Sequence, residues 1–225
     1  MPVRVSRRCD LAIVPGVHAA LVDADLVLLD VRADAYFCLP GLADDFRLHA
    51  DRRRLALSDP ALGRELLAAD LVSVEAAPSA QVAPLPAHPQ RSALSVDVPC
   101  PAWDDLGDGL RAMLDLARAY RGRPLRTLLE AVARPSPDIR PQASPAVIEA
   151  AARFHRWAPY APVSGKCLLR SFMLLRLLHA KGLDAHWVFG VRTWPFQAHC
   201  WLQCEDLVLD DQPDRVRAFT PIMAA

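Results

Sequence analysis

The chain has 225 residues, with 26 basic and 26 acidic side chains and a formal net charge of zero. That length allows one large or two small domains, with enough residues for a buried core. The balanced charge gives no general attraction to nucleic acid or to an anionic membrane, and no stretch reaches about 18 apolar residues without a charge. We therefore expect a soluble, cytoplasmic protein with neither of those partners.

The first part of the chain is predicted to form a small separate unit, from Leu11 to about Ala77. Short apolar runs over residues 17–22, 26–30 and 36–39 are separated by acidic turn segments, a pattern typical of a three-stranded meander. One helix is expected around residues 42–49. A second is expected over residues 60–68, because Asp59 can cap it and Pro60 suits its first position.

A linker is predicted next, because six prolines lie between residues 78 and 101 and proline interrupts helices and central strands. We accordingly expect a first domain over residues 1–80, a linker over 81–101 and a second domain over 102–225. In the second domain, helices are predicted for residues 103–120 and 124–132, and from Pro145 onward with Ser144 as the cap. A small antiparallel sheet follows them, so the fold class is α+β.

The most informative stretch covers residues 166–211. Residues 168–178 are apolar on nearly every side of a helix, which predicts a buried helix that ends near Gly182. Cys167 lies in its first turn, where free backbone N–H groups and the positive end of the helix dipole favour a thiolate. A cysteine at such a position can equally be a small buried apolar residue.

Two residue types that can activate a thiol follow in the sequence. A strand is predicted over Ala185–Val191, and the next strand begins at His199. Asp210 and Asp211 come directly after a third apolar run. A thiol nucleophile, a histidine base and a carboxylate that fixes the tautomer of the base form the logic of an activated Cys-His-Asp site. The sequence leaves both aspartates open, and we prefer Asp211.

The cysteines do not follow the spacing of a disulfide framework, so free thiols in a reducing compartment are expected. Cys200 and Cys204, with His186 and His199 nearby, invite comparison with a zinc site. No second pair of closely spaced ligands completes a closed site, however. We expect neither a metal nor another cofactor. The six cysteines are Cys9, Cys38, Cys100, Cys167, Cys200 and Cys204.

Residues 166–211 resemble the transglutaminase-like cysteine peptidase domain of lasso-peptide B proteins. The matching motifs are KCLLRS at 166–171, GV at 190–191, PFQAHCWL at 195–202 and the LDD that ends at Asp211. The resemblance implies a transglutaminase-like or papain-like second domain, with Cys167 as nucleophile, His199 as general base and Asp211 as third member. One departure is Cys200, which replaces the usual small residue. On a strand it should point away from His199, so it raises little doubt.

The motif VLLDVRADAYFCL at residues 27–39 is similar to the recognition-element domain of peptide-modifying systems, a small winged-helix-like fold. That resemblance implies that a leader peptide binds as an extra strand along the third strand, beside the last helix. About half of the matching side chains must instead be core residues, because a strand alternates its faces. The candidates are Tyr36, Phe37, Cys38 and Leu39 on the strand, and Leu62, Leu66 and Leu67 on the helix.

Together the resemblances imply a leader peptidase. The first domain would bind the leader of a lasso-peptide precursor, the second would cleave it from the core, and a separate ATP-dependent cyclase would close the freed core. Trp157 and Tyr160, before the nucleophile, and Arg192 and Trp194, before His199, are candidates for the substrate cleft. Three alternatives remain open: an acyltransferase with the same triad, a non-catalytic leader-binding adaptor, and a metal protein.

Overall fold

The computed structural model describes residues 9–42, 45–75, 84–95, 124–133, 141–158 and 167–225, with the single positions Gly107, Leu110 and Leu114. Its contacts divide the chain into two compact units, one of residues 1–82 with Thr193–Pro195 and one of residues 83–192 and 196–225. Both combine helix and sheet, so the predicted α+β class is confirmed. In the described part of the chain, no helix is long and apolar enough to cross a membrane.

The first unit contains two antiparallel sheets and one helix. Its elements are β1 (Cys9–Ile13), β2 (Val17–Val22), β3 (Asp25–Asp30), β4 (Ala35–Leu39), β5 (Phe46–Leu48), β6 (Arg54–Leu57), α1 (Pro60–Ala68) and β7 (Val72–Ser73). One sheet has the order β2–β3–β4 and the other β5–β6–β1–β7. The predicted meander is therefore confirmed, and its central strand β3 is buried along its whole length.

Helix α1 begins as its sequence predicts. The carboxylate of Asp59 accepts the Ala61 N–H at 2.8 Å, and Pro60 occupies the first helical position. The inner face of α1 presents Leu66 to the core of the first unit, where Leu11 and Leu57 are also buried. The predicted range of residues 60–68 is confirmed.

The helix predicted around residues 42–49 is wrong. Phe46–Leu48 form strand β5, in which Phe46 is buried and Arg47 is exposed, and β5 pairs with β6. This alternation has a period of two and suits a half-buried strand better than a helix. Strands β6 and β1 are not among the elements predicted from the sequence, and both belong to the second sheet.

The second unit is built around a five-stranded sheet of order β12–β9–β10–β11–β8. Its elements are β8 (Arg91–Ser92), a short 3-10 helix (Ala93–Ser95), α2 (Leu125–Ala131), α3 (Pro145–Trp157), α4 (Cys167–Ala180), β9 (His186–Arg192), β10 (Gln197–Cys204), β11 (Leu207–Val208), α5 (Pro213–Val216) and β12 (Thr220–Ala224). Neighbouring strands are antiparallel except β8 and β11.

Part of the predicted linker belongs to this second unit. Strand β8 pairs with β11, the N–H groups of Gln90 and Arg91 donate to the Asp206 carbonyl, and Ala93 is fully buried. Most of the helix predicted over residues 103–120 lies outside the described residues, although Gly107, Leu110 and Leu114 are helical.

Helix α4 and strand β10 are the elements that position the candidate site. As predicted, α4 is buried over most of its surface, and it ends before Gly182, which has a φ of +70°. It packs against β10, whose other neighbours in the sheet are β9 and β11. Cys167 at the start of α4 lies beside His199 near the start of β10. Strand β12, which the sequence analysis did not predict, covers the far side of β9.

Candidate active site

Cys167 is the first residue of α4 and is partly exposed. Interactions with Cys200 and with the His199 side chain lower the pKa of its thiol. A cysteine at a helix start also lies near unpaired N–H groups and the positive end of the helix dipole. All of these contacts favour a negatively charged sulfur.

His199 joins the thiol to a carboxylate. Its Nε2 lies 2.7 Å from Oδ2 of Asp211, and both side chains are buried. Because Nε2 is engaged by the carboxylate, Nδ1 is the ring nitrogen that remains for Cys167. The three predicted residues therefore form one hydrogen-bonded series, Cys167–His199–Asp211.

The first two members of the series form an ion pair. Hydrogen bonds from Cys200 and then His199 outweigh the effect of burial and lower the pKa of Cys167 to about 3. Burial favours neutral His199, but hydrogen bonds with Asp211 and Cys167 outweigh it and raise the pKa of the imidazole to about 9. A thiolate and an imidazolium therefore coexist at neutral pH.

The two neighbouring aspartates bind different partners. Burial opposes ionisation of Asp211, but hydrogen bonds from His199 and the Gln212 N–H, with the charge of Arg215, lower its pKa. Asp210 instead accepts hydrogen bonds from the Ser171 hydroxyl and, at 2.8 Å, from the Leu202 N–H. Of the two carboxylates, Asp211 is the one bonded to the histidine.

The His199 ring is held between aromatic side chains. Its centroid is 6.0 Å from the ring of Trp201 and 5.1 Å from that of Phe219. Gly190 pairs with His199 across the sheet, and a Cβ at Gly190 would lie 2.8 Å from the Trp201 ring and 2.9 Å from Phe219. Only glycine lets these rings close over the strand at this position.

Cys200 contributes more to the site than the sequence analysis expects. The sequence predicts that it points away from His199 and matters little, yet its interaction with Cys167 is the largest cause of the low pKa of that thiol. The alternation of side chains along β10 determines which face of the sheet each side chain lies on. It does not determine which residue of a packed helix lies beside that face, so the motif AHCW does not predict the approach of Cys167 to Cys200.

The family model of the transglutaminase-like superfamily matches residues 110–224, a range that contains all three members of the series. The chain belongs to the transglutaminase-like superfamily.

A curated relative of this superfamily member is the microcin J25-processing protein McjB of Escherichia coli. The two are 44% identical over 48 residues, which is 21% of this chain and 23% of that protein. The match thus spans under a quarter of the relative. Within that range it confirms the resemblance to lasso-peptide B proteins. No solved structure matches the chain significantly.

The four predicted cleft residues lie in different surroundings. Trp157 is buried at the end of α3, with its ring 4.9 Å from Phe154 in an edge-on contact. Arg192 donates to Oε1 of Gln197. Trp194 is 75% exposed and grouped with the first unit, in which its indole N–H donates to Asp25. Tyr160 lies outside the described residues.

The predicted leader-binding residues fall on β4 and α1. Strand β4 is an edge of its three-stranded sheet, and Phe37 and Cys38 are exposed on it while Tyr36 and Leu39 are half-buried. On α1, Leu66 is a core residue and Leu62 packs partly exposed against the same core. No group of histidine, cysteine and acidic side chains in the described residues is arranged to hold a metal ion.

Proposed function

We propose that the protein is a leader peptidase that cleaves the leader from a lasso-peptide precursor by thiol catalysis. The observation that carries the proposal is the hydrogen-bonded series Cys167–His199–Asp211 in a member of the transglutaminase-like superfamily. The similarity to a microcin-processing protein supports a precursor peptide as the substrate class. We propose the cytoplasm as its compartment, because a nucleophilic thiol beside a second thiol stays reduced there.

In the first step, the Cys167 thiolate attacks the scissile carbonyl carbon and forms a C–S bond. The C–N bond then breaks as His199 gives its Nδ1 proton to the departing nitrogen, which leaves as the free amine of the core peptide. The leader remains bound to Cys167 as a thioester. The backbone N–H of Cys167 lies in the first turn of α4, a position that suits it to stabilise the oxyanion.

In the second step, neutral His199 removes a proton from water, and the resulting hydroxide attacks the thioester. The C–S bond breaks, the leader leaves as a carboxylic acid and the thiolate is restored. Asp211 keeps the proton on Nε2, so Nδ1 is free to accept and return the other proton. Asp211 also stabilises the imidazolium that exists before and after each turnover.

The first unit is proposed to be the winged-helix-like module that recruits the leader. Strand β4 is an edge strand of the β2–β3–β4 sheet, and its neighbour β3 is fully buried. An extended peptide can add to such an edge through main-chain hydrogen bonds, while exposed side chains such as Phe37 select its sequence. Recruitment raises the effective concentration of the cleavage site, so the catalytic cleft itself need bind only weakly.

The product of this reaction is a core peptide with a free amine. In the proposed sequence of reactions, an ATP-dependent cyclase then joins that amine to a side-chain carboxylate. This partner is required by the chemistry of the product, because amide formation from a carboxylate in water needs activation.

Acyl transfer is the second candidate, because the same thioester can react with an amine instead of water. Incubating enzyme and precursor with a small primary amine at moderate concentration separates the two. A leader with a free carboxyl terminus supports hydrolysis, and a leader amide at neutral pH and moderate amine concentration supports transfer.

The proposal is tested by mass spectrometry of the precursor after incubation with the wild-type chain, with Cys167→Ala and with Cys204→Ala. Cys204 is the control cysteine, since it is a free thiol of the same unit and its thiol donates to the Asp184 carbonyl. We expect one cut with wild type and with Cys204→Ala, and none with Cys167→Ala. Cleavage that survives Cys167→Ala overturns the mechanism. An intact precursor that is bound but not cut by wild type favours an adaptor.

A further inference from the structure

Two arginine side chains approach the carboxylate of Asp211, and the proposed mechanism uses neither. Nη2 of Arg170 lies 3.7 Å and Nη1 of Arg215 lies 3.6 Å from Oδ2, the same oxygen that His199 contacts through Nε2. We propose that Arg170 is a positioning residue, which keeps Asp211 ionised and directed at His199. The inference rests on the proposed thiol catalysis, and it adds a fourth residue to the site.

Helix α4 carries both the nucleophile and this arginine. Arg170 follows Cys167 by one helical turn, and residues at that spacing lie on the same side of a helix. The helix is buried over most of its surface and packs against β10, which carries His199. One rigid element therefore fixes where the thiol lies relative to the cation that faces Asp211.

The carboxylate of Asp211 lies where a charge is unfavourable unless it is paired. The side chain is buried, Oδ1 accepts the Gln212 N–H at 2.8 Å, and Oδ2 is the atom that His199 and both arginines approach. A buried carboxylate keeps its charge only when hydrogen bonds and positive charges replace the water that it loses. The arginines supply positive charge that does not depend on the protonation of His199.

Arg170 is better placed for this role than Arg215. Its side chain is 37% exposed, whereas that of Arg215 is 62% exposed, and water and salt weaken the more exposed pair. At 3.7 Å the contact with Asp211 is an ion pair and not a hydrogen bond, so Arg170 acts through its charge. Its Nε is buried with no hydrogen-bond partner among the described residues, an unfavourable state that the ion pair can offset.

The other titratable groups near Asp211 do not supply this positive charge at neutral pH. Helix α3 provides His155, whose Nε2 lies 2.9 Å from the Leu209 carbonyl oxygen. Burial lowers the pKa of His155 to about 4, so its ring is neutral at pH 7. Asp210, the neighbour in the chain, repels Asp211 when both are ionised.

Arg176 provides a matched control on the same helix. It lies six residues after Arg170, is also half-buried, and donates from Nη1 to the Ala131 carbonyl at 3.0 Å. That bond joins α4 to α2. Arg176→Gln therefore removes a half-buried arginine from α4 and leaves the ion pair with Asp211 in place.

The test is the pH dependence of alkylation of Cys167 by iodoacetamide, measured by mass spectrometry of the peptide that contains Cys167. Only the thiolate reacts, so the midpoint of the rate profile reports how well the imidazolium stabilises it. We expect Arg170→Gln to raise the midpoint by about half a pH unit, the size expected for loss of a partly exposed ion pair. Arg170→Lys keeps the charge and should stay closer to wild type, and Arg176→Gln should match wild type.

The variant Asp211→Asn separates an effect through Asp211 from a direct effect of the arginine charge on the sulfur. We expect Arg170→Gln to raise the midpoint in the wild-type background but not in the Asp211→Asn background, because the residue through which Arg170 acts is then neutral. Three results overturn the inference: no shift in Arg170→Gln, an equal shift in Arg176→Gln, or an equal shift of Arg170→Gln in both backgrounds.

Thermal unfolding at the assay pH values shows whether each variant is folded. Arg170→Met, which keeps an apolar stem of similar length, repeats the test if the glutamine variant is unstable. All variants keep the other titratable groups near Asp211, so the titration of those groups is common to the comparison. Because alkylation needs no precursor peptide, a shift that requires Asp211 in a protein that cuts no precursor would refute the proposed function and support the role of Arg170.

Discussion

Asp211 influences the charge of the His199 imidazole. It is bonded to Nε2 of His199 and contributes to the raised pKa of that residue, so its removal lets the imidazolium lose its proton at lower pH. We expect Asp211→Ala to lower kcat about 100-fold and to move the alkaline limb of the pH–rate profile to lower pH. Asp214→Ala, three residues along and exposed, should keep the wild-type profile. An unchanged alkaline limb in Asp211→Ala would contradict the assigned role.

Asp210 is a buried carboxyl group whose titration affects the stability of the fold. Burial raises its pKa from 3.8 to about 6, against the hydrogen bonds from Ser171 and the Leu202 N–H. The pKa of Asp210 is higher in the folded chain than in the unfolded chain. The stabilisation that Asp210 provides is therefore complete below about pH 4, and it is lost as the pH rises through the pKa of the folded chain. We expect the free energy of unfolding of wild type, minus that of Asp210→Asn, to decrease as the pH rises across this interval.

Urea unfolding of both chains at several pH values measures that difference. Ser171→Ala is the matched control, because it removes one partner of the carboxylate without removing the titrating group. A difference between wild type and Asp210→Asn that does not vary with pH would contradict the prediction.

Single residues of the candidate site could be predicted from the sequence, because cysteine, histidine and aspartate stand out at the ends of apolar helix and strand patterns. A cysteine at a helix start, a histidine at a strand start and a carboxylate after the next strand are visible as a pattern. The division of labour between Asp210 and Asp211 was not, because it depends on Ser171 and the Leu202 N–H, which are distant in the sequence. The contact of Cys200 with Cys167 was hidden for the same reason.

At the scale of elements, the close packing of β9, β10 and the segment before β12 depends on Gly190. A methyl group there would meet the Trp201 ring and Phe219 at under 3 Å, and both rings adjoin His199. We expect Gly190→Ala to reduce the free energy of unfolding by about 1–3 kcal/mol and to lower kcat as well, since the ring of His199 must shift.

Gly63→Ala is the control for this substitution. A Cβ at Gly63 in α1 lies 3.7 Å from both Leu11 and Leu57, an ordinary contact, so the change should be neutral or stabilising by up to about 1 kcal/mol. Thermal unfolding and kcat of the two variants make the comparison. Equal stability of both variants would show that the close contacts at Gly190 relax without cost.

Elements with local signals were predicted well, and those that depend on distant partners were not. The starts of α1 and α3 are marked by Asp59-Pro60 and Ser144-Pro145, and in both the capping side chain accepts a backbone N–H. Strands β5 and β8 have only three and two residues. Strand β12 includes Pro221 and is defined by its pairing with β9. Such strands exist because a partner strand is present, and no local pattern specifies the partner.

The proposed leader site lies on β4, one edge strand of the β2–β3–β4 sheet. Phe37 on β4 is 38% exposed and Leu21 on β2, at the opposite edge of the same sheet, is 44% exposed. We expect Phe37→Glu to weaken binding of a fluorescent leader peptide about tenfold or more, as loss of one apolar contact with added charge would. Leu21→Glu should bind as wild type does. Equal weakening by both would place the leader elsewhere.

At the scale of the whole molecule, the prolines between residues 78 and 101 predict two domains joined by a linker, and that division stays a prediction. The contacts group the chain into two compact units. Proline content suggested a linker up to residue 101, yet Arg91 and Ser92 pair with β11, and the Ser92 hydroxyl donates to the Asp211 carbonyl. Proline restricts the backbone but does not prevent a segment from packing at the edge of a sheet.

A chain that recruits its substrate through one unit and cuts it with another should separate binding from chemistry. We expect a peptide that spans the cleavage site but lacks the rest of the leader to be cut with a kcat close to that of the full precursor and a KM raised about 100-fold, because only the effective concentration of the site is lost. Steady-state kinetics with both substrates measure the two constants. Phe37→Glu should raise KM for the full precursor and leave the short peptide unaffected, whereas Leu21→Glu should change neither. If the short peptide loses kcat instead, the leader also helps to assemble the catalytic site, and recruitment alone does not explain why the two units share one chain.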